Sequence, residues 1–209
     1  MLAMWRRGDA SAGQALVKIH YKAIFSFLRK RLDEPNAADL TQATFETLCQ
    51  KRDDFRGDAA MRTYIFAIAR FKLTNHCRQR RRQAQRQDPI DDDLLIGDDH
   101  SLTSLLESRR AQTLVIRAMD ALDLDDQIIL ELKIYEGLTT AALAEVFGAT
   151  SGAISGRVSR ARGRLRAAME ALDSEQGLAE LTMRSLAGRM EDIQTAAAQQ
   201  AKHSPQSST

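Results

Sequence analysis

The stretch TTAALAEVFGATSGAISGRVSRARGRLR, residues 139–166, decides the fold. Thr139 stands just before a short apolar-periodic run, where a hydroxyl oxygen can accept from an unpaired helix N–H. Gly148 follows Phe147 as a stop, because glycine takes the left-handed geometry that closes a helix. Thr150 or Ser151 then caps a longer helix on which Ile154, Val158, Ala161, Leu165 and Leu172 align. A short helix, a tight turn containing glycine and a basic second helix make the helix-turn-helix pattern. With Ile154 and Val158 turned to the first helix, Ser155, Arg157, Ser159 and Arg160 are left towards solvent or DNA. Arg157 and Arg160 have the fork that pairs with guanine or clamps phosphate. A solvated basic helix in a bundle is the plainer reading, but pattern, turn and charge agree on DNA.

Working outward, Ala111, Val115, Ala118, Met119 and Leu122 give one helix face upstream, and Ile128, Ile129, Leu132 and Tyr135 the next, ended by Gly137. Towards the N-terminus, residues 13–32 read as an amphipathic helix through Val17, Tyr21, Ile24, Phe25, Leu28 and Leu32, stopped by Pro35. Asn36 caps the following helix, which runs to about Gln50 with Leu40, Thr44, Phe45 and Leu48 on one side. Gly57 breaks the pattern, and Asp58 caps a long third helix with an apolar stripe of Met61, Ile65, Ile68, Ala69, Leu73 and Cys77.

That third helix runs on into an arginine cluster. Arg70, Lys72, Arg78, Arg80, Arg81, Arg82 and Arg86 occur with no acid between them. Asp88, Asp91, Asp92, Asp93, Asp98, Asp99 and Glu107 follow with no Lys or Arg, and 157–166 turns basic again. The formal net charge of +2 averages these blocks away. Phe55, Tyr64, Phe66 and Phe71 precede or interleave with the arginines, and cations beside aromatic faces suit single-stranded nucleic acid, whose unstacked bases need stacking partners. Phe66 and Phe71 fit either that purpose or the core.

The fold class is therefore all-α: two helical modules, 13–86 and 105–172, joined by an acidic linker over 87–104 and followed by an extension, 173–209, helical and then disordered. Only 3 prolines and 11 glycines punctuate 209 residues, and 44% of them are hydrophobic, enough for compact cores. Extended, the linker spans about 60 Å at roughly 3.3 Å per residue. No apolar run approaches the roughly 20 residues that cross a bilayer, and the first residues lack a secretory core; a cytoplasmic location without membrane attachment is the expectation. The 2 cysteines, Cys49 and Cys77, are far apart and read as fillers of helix faces rather than a disulfide or zinc site. His20, His76, His100 and His203 do not cluster with acids or cysteines at metal spacing. No phosphate-binding glycine loop or nucleophile elbow is present. No catalytic residue, metal or cofactor is expected.

Together the two modules resemble an extracytoplasmic-function (ECF) sigma factor of bacterial RNA polymerase. DLTQATF (39–45) resembles the polymerase-binding helix of region 2. FRGDAAMRTYIFAIARFKLTNHCRQRRR (55–82) resembles the part of region 2 that melts and reads the −10 element, and 121–166 resembles region 4, which reads the −35 element. The resemblance implies a non-enzymatic factor that binds core polymerase through its β′ and β subunits and directs promoter-specific initiation. It places Asp39, Leu40, Gln42 and Phe45 at the polymerase, Phe55, Arg56, Tyr64, Arg70, Asn75 and Arg78 on −10 DNA, and Ser155, Arg157, Ser159 and Arg160 on −35 DNA. A helix-turn-helix regulator that binds duplex DNA without joining polymerase is the alternative.

Departures from the family pattern are specific. Phe71 stands after Arg70 where the family usually has asparagine, and Ser155-Gly156 replace the usual Lys-Ser. In the polymerase-binding helix, Asn36, Ala38 and Ala43 occupy positions that are usually acidic. Phosphorylation of Thr41, Thr44 or Thr47 on that helix would restore nearly two negative charges. A Ser/Thr kinase is accordingly one regulator the sequence allows; an anti-sigma factor, with polymerase held by apolar packing, is the other.

Overall fold

The computed structural model describes residues 2–52, 60–84, 109–173 and 177–188. All regular structure among them is helical: α1 (Leu2–Arg6), α2 (Ala10–Arg29), α3 (Glu34–Gln50), α4 (Met61–Ala84), α5 (Arg109–Asp120), α6 (Leu124–Ile134), α7 (Thr140–Phe147) and α8 (Ser151–Leu172), with residues 178–188 also helical. The chain divides into two compact units, Met1–Asp99 and His100–Thr209. The acidic linker and the end of the C-terminal extension lie outside the described residues, as do Phe55, Arg56, Gly57 and Asp58.

In the first unit α2, α3 and α4 pack around Ile24, Phe27, Leu28, Leu48, Ile65, Phe66, Ala69 and Leu73, each at most 1% exposed. Phe66 meets Phe27 edge to face at 5.6 Å between centroids, one of the two arrangements the ring quadrupole favours. The α2–α3 boundary differs from expectation. Helix α3 begins at Glu34 with Pro35 inside its first turn, and its cap is Asp33, whose carboxylate accepts from the Asn36 N–H at 2.9 Å and from its side-chain amide at 2.8 Å. Proline is tolerated there because first-turn N–H groups have no helical partner to lose. Cys77 is half-buried but Cys49 is exposed, so only the former helps to fill a face.

In the second unit α5, α6 and α7 each pack on α8. The capping signals hold. The Thr139 hydroxyl accepts from Ala142 N–H at 3.1 Å, Gly148 is left-handed at φ 61°, and Thr150, rather than Ser151, caps α8 by accepting from Ala153 N–H at 3.3 Å.

Candidate polymerase and nucleic-acid interfaces

On α8 the buried residues are Ile154, Val158, Ala161, Leu165 and Met169, one stripe at helical spacing. Their burial turns Ser155, Ser159 and Arg160 outward, and all three are exposed. Arg157 is different. Its guanidinium donates to Asp125 at 2.9 Å and lies over the Phe147 ring, 5.2 Å from the centroid. Two of its faces are thus engaged, by α6 and α7. Arg164 pairs with Asp126, a carboxylate that is 1% exposed; this hydrogen bond holds the arginine's charged form and pushes its pKa up. Arg160 is exposed. Its guanidinium folds over Gly156, where an added Cβ would come within 3.3 Å of it.

On α4 the core takes Thr63, Ile65, Phe66, Ala69 and Leu73. Tyr64, Asn75 and Arg78, at i, i+11 and i+14, share one side of the helix; the first two are half-buried and Arg78 is exposed. Arg70, half-buried, sits roughly 110° away around the axis, so the expected −10 residues do not form a single row. Arg80, Arg81 and Arg82 are exposed. Phe71, which the residue pattern left open, is 65% exposed, whereas Phe66 is fully buried.

On α3, Asp39 and Gln42 are exposed, Leu40 is half-buried and Phe45 is 6% exposed. A groove of about 630 Å³ runs beside them between α2 and α3, lined by Val17, Tyr21, Asp39, Gln42, Phe45 and Glu46 among others. Tyr21 stacks on Phe45 and on Phe25, both at 6.1 Å between centroids, so part of the stripe expected to be core is an aromatic groove wall. Gln42 donates to Glu46 at 2.8 Å, and Asp39 and Glu46 give the rim its negative charge. The three threonines behave unlike a phosphorylation platform. Thr41 and Thr44 are 0% exposed, with their hydroxyls donating to the carbonyls of Ala37 and Leu40 at 2.7 Å. Folded, neither reaches a kinase; Thr47 is half-buried.

Among the described residues no group of His, Cys, Asp and Glu is placed to hold a metal ion, and no helix is long and apolar enough to cross a membrane.

Residues 16–83 match the Sigma-70 region 2 family and residues 112–165 match Sigma-70, region 4. The ECF RNA polymerase sigma factor SigC of Mycobacterium tuberculosis is 32% identical over 78% of this chain and 86% of its own length. The chain belongs to the ECF sigma factors. The RNA polymerase sigma-H factor of Pseudomonas aeruginosa is a further relative, 29% identical over 80% of this sigma factor and 91% of its own length. The fold is also that of two solved structures. One is the sigma factor RpoE in complex with the anti-sigma factor NepR from Bartonella quintana, with TM-score 0.57 and 22% identity over 75% of this chain and 96% of that one. The other is CnrH in complex with the cytosolic domain of CnrY, with TM-score 0.60 and 24% identity over 81% and 95%. In this sigma factor the region 2 match covers most of α2 through α4 and the region 4 match most of α5 through α8, while α1 and helical residues 178–188 fall outside both.

Proposed function

We propose that this sigma factor binds core RNA polymerase and directs it to promoters, with residues 13–86 contacting polymerase and opening the −10 element, 87–104 serving as the linker, 105–172 docking on the −35 element, and 173–209 as an appended segment. Asp39, Leu40, Gln42 and Phe45 make the polymerase contact. Phe55, Arg56, Tyr64, Arg70, Asn75 and Arg78 serve the −10 DNA, and Ser155, Ser159 and Arg160 read the −35 duplex with Arg157 beside them. The observation that carries this reading is the co-occurrence, in one chain and in this order, of both family matches. A duplex-only regulator needs a helix-turn-helix but has no use for a region 2 bundle. The factor performs no chemistry of its own; polymerase supplies the active site, and the cytoplasm is where both partners are found.

The burial of Thr41 and Thr44 favours a polymerase contact made by Asp39, Gln42 and the Phe45 groove without phosphate. Regulation by an anti-sigma protein fits better than a kinase, since the structural neighbour RpoE was solved with an anti-sigma factor. The test is reconstitution with core polymerase and transcription in vitro from a library of promoter fragments. Promoter-dependent transcripts that vanish with Asp39→Arg are expected. Absence of polymerase binding with the unmodified protein overturns the reading.

A further inference from the structure

Phe71 is the most exposed large hydrophobic side chain among the described residues, at 65%. A lone exposed apolar residue is ordinary on a protein surface; its setting here is not. Phe71 lies between Arg70 and Lys72 in a helix with no acid from Met61 to Ala84. Tyr64, Phe71, Asn75 and Arg78 fall at i, i+7, i+11 and i+14, so the phenyl shares one side of α4 with a phenol, an amide and an exposed guanidinium. The other phenylalanine of α4, Phe66, is fully buried against Phe27, which leaves core packing to Phe66 and removes any structural need for Phe71.

Three kinds of partner meet such a surface differently. An apolar protein face would bury Arg78 and Lys72 without counter-charges, which is strongly unfavourable. An intact duplex hides its base faces, leaving a phenyl nothing but a thymine methyl to touch. An unpaired base offers a face for the phenyl, edges for the Asn75 amide and a phosphate for Arg78, the combination by which proteins hold single strands. We propose that Phe71 is a stacking platform for one unpaired base of promoter DNA, with Asn75 and Arg78 flanking it. The proposal rests on the −10 reading above and adds a subsite where the family's usual residue is an amide, which cannot stack as a ring does.

The experiment uses the full-length factor bound to core polymerase, with core alone as background, and anisotropy of labelled single strands dT20 and dA20, an abasic strand of the same length, and a duplex. Phe71→Leu keeps the apolar bulk and removes the π face. It is expected to weaken binding of the base-bearing strands about 5- to 100-fold, leaving the abasic strand and the duplex within about twofold, and Phe71→Trp is expected to restore binding. Because Phe71 is exposed, thermal melting should be unchanged in both variants. Unchanged single-strand affinity in Phe71→Leu, or an equal loss on the abasic strand, overturns the stacking role. Arg78→Ala separates the two levels. If it weakens single-strand binding while Phe71→Leu does not, only the stacking inference fails. If neither has an effect, the −10 reading fails with it.

Discussion

Arg157 and Asp125 form an ion pair at 2.9 Å between α8 and α6, and the same guanidinium covers the Phe147 ring of α7. One side chain thereby ties the first turn of α6 and the end of α7 to α8. Both side chains keep about a third of their exposure, 35% and 32%, so the pair belongs with surface bridges worth about 0.2–1 kcal/mol, plus about 0.5–1 kcal/mol for the cation–π contact. A DNA phosphate can outbid a partner of that strength. Asp125 therefore acts as a competitor for Arg157. Asp125→Asn is expected to lower stability by no more than about 1 kcal/mol, to tighten duplex binding, and to steepen its salt dependence by about one counterion. Arg157→Ala should weaken both stability and binding. Anisotropy titrations at several salt concentrations, with urea unfolding, check this. Weaker duplex binding by Asp125→Asn would mean that Arg157 works only when held.

The two buried threonines of α3 lead to an expectation opposite to that of a phosphorylation switch. A Thr44→Glu or Thr41→Glu change places a carboxylate at a position that is 0% exposed. An uncompensated buried charge costs about 3–5 kcal/mol, so these variants should unfold the first unit and lose polymerase with it. Thr44→Val removes only the hydroxyl bonded to its own helix carbonyl at 2.7 Å and should stay within about 1 kcal/mol. Thr47→Glu, at a half-buried site, should fold. Urea midpoints by circular dichroism rank the series; a Thr44→Glu protein as stable as the parent would reopen the switch.

What the residues disclosed in advance follows the range of each interaction. Thr139, Gly148 and Thr150 were legible because caps act over three or four residues, so their signals lie together in the chain. Asp33 and Pro35 carry an equally local signal that points two ways: a proline ends one helix or opens the next, and here it opens α3. Phe66 could have been assigned, since it precedes Ala69 by three and Leu73 by seven and so shares their buried side. Phe71 falls off that stripe. The Arg157–Asp125 pair was not legible at all. Its partners are 32 residues apart, and nothing in either local pattern selects one among the many acids and arginines. Thr41 and Thr44 can be core because a threonine satisfies its own hydroxyl on the preceding turn.

The first unit should lose stability on acidification in two windows. His76 has its pKa lowered by burial first and by Arg80 second, with Asp33 opposing; His20 is lowered by burial and then by Arg62. Both take up a proton less readily in the fold than in the unfolded chain, so the unfolded chain protonates first. The stability this represents is complete above the ordinary value of 6.5 and is lost as pH falls below it. Asp33 is held low by hydrogen bonds from Asn36, the backbone N–H first. Its contribution is complete above the ordinary 3.8 and disappears as pH drops through the folded value. Unfolding by urea at pH 7.5, 5.5 and 3 separates the windows. His76→Gln should shrink the upper one to the share that His20 carries. Asp33→Ala should cost about 1 kcal/mol at neutral pH and progressively less towards pH 3. A pH-independent cost for Asp33→Ala would show that its charge is not what caps α3.

Trp5 and Gly13 join α1, which lies outside the family match, to α2. The indole is 7% exposed and packs so closely that a Cβ on Gly13 would stand 2.6 Å from its Cδ1 and Nε1. A glycine within a helix ordinarily costs about 0.5–1 kcal/mol relative to alanine, so Gly13→Ala at an open site would stabilise. Here the methyl must expel the ring, and losing the burial of a large side chain costs about 1.5–3 kcal/mol. The second term is larger, and the net expectation is a loss of about 1 kcal/mol. The chain has 1 tryptophan, which makes the readout direct. Gly13→Ala should shift the emission to longer wavelength and raise its quenching by acrylamide, while α2–α4 remain folded by circular dichroism. Trp5→Ala combined with Gly13→Ala should recover the helix-propensity gain, because the ring that opposed the methyl is gone. If Gly13→Ala alone stabilises and leaves the emission unchanged, α1 does not pack on α2 in solution.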